Sequence, residues 1–395
     1  MMFHKKQKTA VLMVSVFLSV FVLFPLLTGI AGAATPLEEA IANAPQGTEK
    51  GQIDPNAAPG YLGIPGAPSQ NLVIGFFWAV WVGWIFSTVG AFGGVMAGIG
   101  HITVFGLGKY AGQFRETAPT INKMVTDSVR VSNQFLVGTS ALISSINYYK
   151  MGRLVLPLGI ALAAGSVLGS SLIPALTAGK VSFKAYIGYF GLFVLLLGCW
   201  MVYETTPKGQ AGKKKAKQAA DAFEETMKRQ KSGENIDTRD LGVKVKEISI
   251  SKMVFTFYGV EFSFNPLFPF IGGFVIASVA SFIGVGGGFL LVPFLTSVSG
   301  LPMYLSAGTS AFAVVIGMIT SITSFIIKGA IVHWPLIGVE MIGIVVGSVV
   351  GPLTSKYLSD KWLKRLFIVL AFYVGINYTT RGFLGKSVLQ LIGLG

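Results

Sequence analysis

The residues of this 395-residue chain whose spacing could hold a ligand are mostly glycines. Gly284, Gly286, Gly287 and Gly288 interrupt a run from Phe262 to Ile327 that carries no charge, and Pro293 follows. Each glycine costs a helix about 1 kcal/mol relative to alanine, and proline has no amide donor, so a regular helix should stop here. Irregular backbone at bilayer depth survives only where protein buries it or where it lines a wet cavity. Its freed amides, with the partial positive charge of the next helix start, could hold a small anion without a buried lysine. Gly308, Thr309 and Ser310 follow, and their hydroxyls could donate to an oxyanion. The competing reading is that these hydroxyls bond a carbonyl one turn back. In the first half the candidates are Gly98, Gly100 and His101. There Thr139 and Ser140 echo the hydroxyl pair, with Asn133 as the alternative ligand. Glu340 is the only acid well inside an expected span, which makes it the candidate proton carrier. The competing reading for Glu340 is a structural pair with Lys328 or a helix end.

These residues need a membrane scaffold. The chain is 52% apolar and only 12% charged, with 50 glycines; a soluble domain carries roughly twice that charge. Several apolar runs reach the roughly 20 residues that cross a bilayer, and nothing alternates as barrel strands do. The expected fold class is all-α, a polytopic transmembrane helix bundle. The net charge of +14 lies between apolar runs, where basic loops set topology and meet anionic lipid, so no nucleic-acid partner is expected. One cysteine, Cys199, rules out an internal disulfide and any CxxC site. Three scattered histidines rule out a metal cage. No cofactor is expected, and without clustered acids and histidines neither is an enzyme.

The chain divides into a basic start and apolar run at 1–34 (a retained span, or else a signal peptide), an acidic extramembrane loop at 35–70, a first repeat at 71–206, a basic linker at 207–252 and a second repeat at 253–395. The linker reads as a solvated flexible tether. Gly138-Thr139-Ser140 recurs as Gly308-Thr309-Ser310. Gly165-Ser166-Val167-Leu168-Gly169 recurs as Gly347-Ser348-Val349-Val350-Gly351, and Gly98 to His101 matches Gly284 to Gly287. An alternative register sets Lys150-Met151-Gly152 against Ile327-Lys328-Gly329, which places Ser132-Asn133 opposite Thr309-Ser310. Two pseudo-symmetric four-helix repeats with broken Gly-rich helices result. A plain count of spans puts the basic linker outside, against the positive-inside rule, unless one Gly-rich segment is a re-entrant hairpin.

GVGGGFLLVPFL, then LPMYLSAGTS, then a span ending in Lys-Gly-Ala-Ile resembles the TauE/SafE family of membrane anion transporters, the sulfite exporters. The resemblance covers about Gly83 to Phe383 and is sharpest in the second half. It implies an eight-span duplicated bundle that moves small sulfur-containing or organic-acid anions. The expectation is therefore a multi-pass inner-membrane transporter of small anions, sulfite or a related organosulfonate first. It would work by alternating access at a central Gly-rich site, with lipid as its other partner. A homo-oligomer is compatible with this reading. The alternative is a non-transporting scaffold or sensor whose basic linker docks a partner.

Overall fold

The computed structural model describes residues 36–90, 92–177, 183–210, 213–234, 236, 241–283, 288–391 and 393. The basic start at 1–34 and Gly284, Gly286 and Gly287 lie outside them. Helix α1 (Pro36–Ala42) opens the described chain, and the first repeat holds α2 (Leu72–Val89), α3 (Gly93–Ile99), a π-helical turn (Gly100–Val104), α4 (Leu107–Gln113), α5 (Pro119–Lys150), α6 (Leu156–Thr177) and α7 (Phe183–Thr205). Next come α8 (Lys214–Lys231) and strands β1 (Lys244–Ile248), β2 (Met253–Phe257) and β3 (Val260–Phe264). The second repeat holds α9 (Leu267–Ile283), α10 (Gly288–Pro293), a π-helical turn (Phe294–Val298), α11 (Met303–Ile327), α12 (Trp334–Ser355) and α13 (Asp360–Leu384). Among the described residues α2, α11, α12 and α13 have the length and composition to cross a membrane. The starts and stops are local chemistry. The Asn71 carboxamide accepts from the Val73 and Ile74 amides at 3.0 and 3.1 Å, capping α2, and left-handed Gly90 ends it.

In each repeat the described arms on either side of the Gly-rich segment run back along each other. Helix α2 runs away from the 35–70 loop, and α3 with its π turn comes back along it, where the Trp78 indole donates to the Met96 carbonyl at 3.3 Å. Helix α9 runs the opposite way, and Phe294, beyond α10, has returned to stack on Phe268 near the start of α9, centroids 5.4 Å apart. Each return arm has a π turn and then a left-handed glycine, Gly106 or Gly300. Pairing these landmarks sets GAFGG (Gly90 to Gly94) against GVGGG (Gly284 to Gly288). Gly98 to His101 is therefore not the counterpart of Gly284 to Gly287. That register was misread because several glycine clusters compete and only the backbone landmarks choose between them.

The rest of the bundle obeys the same pseudo-two-fold relation. Helix α2 lies along α12 and α9 along α6; α5 packs on α11 and α7 on α13. Gly165 meets the backbone of Phe270 and Phe274 as Gly343 meets the Phe76 carbonyl. Gly169 meets the Phe274 carbonyl as Gly347 meets that of Val80, so a Cβ at any of the four would strike backbone. The two GSVxG blocks are thus offset by one turn from the sequence match, and their glycines serve close helix contact. Gly152 and Gly329 are both left-handed, which supports the register that puts Ser132-Asn133 opposite Thr309-Ser310.

Because the first Gly-rich segment returns, the 35–70 loop and the 207–252 segment sit at opposite ends of the bundle. The Tyr61 hydroxyl meets Ser128 at 2.9 Å near the start of α5. At the far end Glu224 of α8 accepts from the Tyr304 hydroxyl at 3.1 Å and the Asp360 amide at 2.8 Å. This is the arrangement that the re-entrant alternative of the span count expects.

The described residues of the 207–252 segment pack as a cap on the bundle, where the composition predicts a flexible tether. Helix α8 buries Ala216, Ala219, Ala220, Phe223 and Met227, an i, i+3, i+4, i+7, i+11 stripe on an otherwise charged helix. Lys213 pairs with Glu204 at 2.6 Å and donates to the Thr296 carbonyl at 2.9 Å. Burial pulls the Lys213 ammonium below its ordinary pKa. The three strands form an antiparallel sheet in order β1-β2-β3, and β2 turns Met253, Phe255 and Phe257 into the core.

Candidate functional site

His101, Asn133 and Glu340 meet at one point inside the bundle. The His101 Nε2 lies 3.0 Å from a Glu340 oxygen, and its Nδ1 lies 2.6 Å from Asn133 Oδ1. His101 is 1% exposed and Glu340 is 0% exposed. Three elements build the contact: the first π turn carries His101, α5 carries Asn133 and α12 carries Glu340. A π turn inserts a residue into the helical ladder and re-aims the side chains around it, and it recurs at functional sites. Gly100 admits the Trp78 indole where a Cβ would collide with it. Gly98 faces Asn133, whose amide nitrogen lies 3.5 Å from where a Cβ would be.

Both ring nitrogens of His101 are engaged, one by the Glu340 carboxyl and one by the Asn133 carboxamide. A neutral imidazole satisfies both when Nε2 donates to Glu340 and Asn133 turns its amide nitrogen to Nδ1, and an imidazolium satisfies both with Asn133 Oδ1 facing it, so the cluster has a bonded arrangement for either charge state of the ring. The second Glu340 oxygen, Oε1, is buried and has no hydrogen-bond partner among the described residues. A buried unpaired carboxylate oxygen is costly and marks a place where a donor can arrive.

The pseudo-symmetric position lacks this chemistry. In the register of the two hairpins His101 corresponds to Leu295 and Glu340 to Leu162, both fully buried leucines. Among the described residues the His–Glu contact is therefore confined to one side of the pseudo-two-fold, and sequence pairing in the wrong register hid the asymmetry.

The other described sequence candidates make packing and backbone contacts. Ser310 donates to the Gly90 and Ala307 carbonyls, both at 3.1 Å, tying α11 to the tip of the first hairpin. Thr309 Oγ1 accepts from the Val155 amide at 3.2 Å. Gly308 lets the Arg153 carbonyl and Tyr148 approach α11, and a Cβ at Gly288 would lie 2.6 Å from a Val314 methyl. Ser140 accepts from Ser348 at 2.7 Å, while the buried Thr139 hydroxyl has no partner among the described residues. Ser310→Ala should cost about 1 kcal/mol, the net worth of one such hydrogen bond, and leave ligand binding unchanged; chemical unfolding in detergent reads the loss.

The 35–70 loop closes the near end. Tyr61, Ile53 and Ile64 are buried against Phe105, Phe114, Ile121 and Leu336. The Tyr61 ring packs 4.8 Å from that of His333, and His333 Nδ1 accepts the Leu62 amide at 3.1 Å. Burial lowers the His333 pKa from its ordinary 6.5. A depressed histidine stabilises the fold above the unfolded value, and that stability is lost as pH falls from 6.5 towards the folded value. Amide protection over 53–64, corrected for intrinsic rates, should fall as pH drops below 6.5, and His333→Gln should flatten the profile. Tyr61 and the Ser348–Ser140 contact were missed by sequence reasoning. Tyr61 sits in a Pro- and Gly-rich loop with no periodicity to signal burial, and Ser348 was visible only as part of a repeat.

The Sulfite exporter TauE/SafE family model matches residues 75–378, which contain the two hairpins and the whole His101–Asn133–Glu340 cluster. A probable membrane transporter protein of Methanocaldococcus jannaschii is 34% identical over 116 residues, 27% of this chain and 43% of the relative. A probable membrane transporter protein of Haemophilus influenzae is 40% identical over 67 residues, 17% of this chain and 25% of the relative. The chain thus spans less than half the length of either of these relatives. No solved structure matches. On the family match across both repeats, the chain belongs to the sulfite exporter TauE/SafE family of membrane transporters.

Proposed function

We propose that the chain carries a small anion of the sulfite or organosulfonate class across the inner membrane by alternating access, together with a proton held at His101 and Glu340. The observation that carries this reading is the buried cluster, with its His101–Glu340 contact and the unpartnered Glu340 Oε1. With histidine neutral and Glu340 ionised, the site holds one uncompensated negative charge, which repels a second anion strongly at low dielectric. Adding the proton cancels that charge, so anion and proton enter together. The hairpin arms, held by contacts such as the Ser310 hydroxyl to the Gly90 carbonyl, are the elements that would rock between two packings. In this reading the basic 207–252 cap faces the cytoplasm, as the positive-inside rule favours, with the 35–70 loop opposite. The test is counterflow of labelled sulfite in proteoliposomes. Saturable exchange competed by organosulfonates supports the proposal, and exchange no faster than in empty liposomes refutes it.

A further inference from the structure

Arg153 follows the left-handed turn at Gly152, at the far end of the bundle from Glu340, and is 1% exposed. Its guanidinium lies over the rings of Tyr148 at 4.6 Å, Tyr304 at 5.2 Å and Phe223 at 5.3 Å. Its one polar contact among the described residues is a long one, Nη2 to the Ser355 hydroxyl at 3.5 Å. Nε and Nη1 have no partner, and no described carboxylate lies within ion-pair distance. Arginine cannot shed its proton to escape burial. Aromatic faces return part of the lost hydration but accept nothing in the plane of the guanidinium. A buried cation with open in-plane donors lacks an anion.

Its position says which anion. The α5–α12 seam is polar along its length. Asn133, His101 and Glu340 hold one end, Ser140 and Ser348 meet at 2.7 Å midway, and Tyr148, Ser355 and Arg153 hold the other end. The Thr139 and Ser144 hydroxyls of α5 are also buried and unpartnered.

We propose that Arg153 is an oxyanion-binding station at the capped end of this seam, taking a small sulfur oxyanion in the plane of its guanidinium beside the Ser355 hydroxyl. Each bidentate edge of the guanidinium contains one of the two unpartnered nitrogens, and that fork matches two oxygens of one anion. The proposal deepens the transport reading and rests on it for the class of anion. Phe223 of the cap closes the station, so α8 must shift for the anion to pass.

The test is equilibrium binding of sulfite and of sulfate to the purified full chain in detergent, in a chloride background, by calorimetry and thermal shift. Wild type should bind saturably. Arg153→Lys, which keeps the charge and loses the fork, should weaken binding by about tenfold or more. Arg153→Gln should weaken it further, and Ser310→Ala should leave it unchanged. Absence of binding to wild type, or equal affinity in wild type and Arg153→Lys, overturns the station. The lysine variant decides the matter even if the glutamine variant fails to fold. Binding that depends on Arg153 without counterflow leaves the station standing and removes the transport reading; counterflow with unchanged affinity in Arg153→Lys does the reverse.

Discussion

Replacing Glu340 by alanine should destabilise the folded chain by about 3–5 kcal/mol, the cost of removing one partner from a buried, hydrogen-bonded pair. The loss strands the His101 Nε2 in a site where both residues are essentially inaccessible to solvent. Glu340→Gln should cost far less, because an amide oxygen can still accept from Nε2, but it removes the only carboxylate of the cluster. The two variants separate structure from function: alanine tests the pair, and glutamine tests the proton. Denaturant unfolding in detergent micelles measures the first effect. A difference under about 1 kcal/mol between alanine and wild type, the usual worth of an exposed pair, would show that the pair is not buried in the folded chain.

The second large effect is expected in the cap. Phe223 is 2% exposed, and its ring packs 4.3 Å from Tyr304 and 5.2 Å from Tyr258. Phe223→Ala removes the central side chain of the α8 stripe, for which about 3–5 kcal/mol is typical. An 18-residue helix with a charged outer face has little stability of its own once its apolar face is lost. Limited proteolysis should therefore cut the variant between residues 207 and 252 while the bundle stays intact. Equal resistance of wild type and variant would return the segment to the flexible tether its composition suggests.

Much of the fold was legible because composition and span length are strong signals in a membrane chain. The duplicated bundle and its glycine breaks are written in apolar runs that water-soluble folds do not carry. What sequence reading lost was register. Glycine clusters at Gly90, Gly98 and Gly284 look alike as text, and only the π turns and the left-handed Gly106 and Gly300 pair them correctly. The linker was misjudged because its lysines outweigh a five-residue apolar stripe in any average, although the stripe has helical spacing. His101, Asn133 and Glu340 were each singled out for a separate reason, and their meeting across two repeats is a tertiary fact. Arg153 carried no signal, since an arginine just past a span end usually faces water.

The most direct test of the central claim is sulfite flux into proteoliposomes under an imposed pH gradient, with wild type and Glu340→Gln side by side. Coupled entry of anion and proton predicts that wild-type uptake rises when the outside is made acidic and reverses with the gradient. The glutamine variant should lose the response to the gradient. Flux indifferent to the gradient in wild type, or equally responsive in the variant, would contradict a proton held at His101 and Glu340.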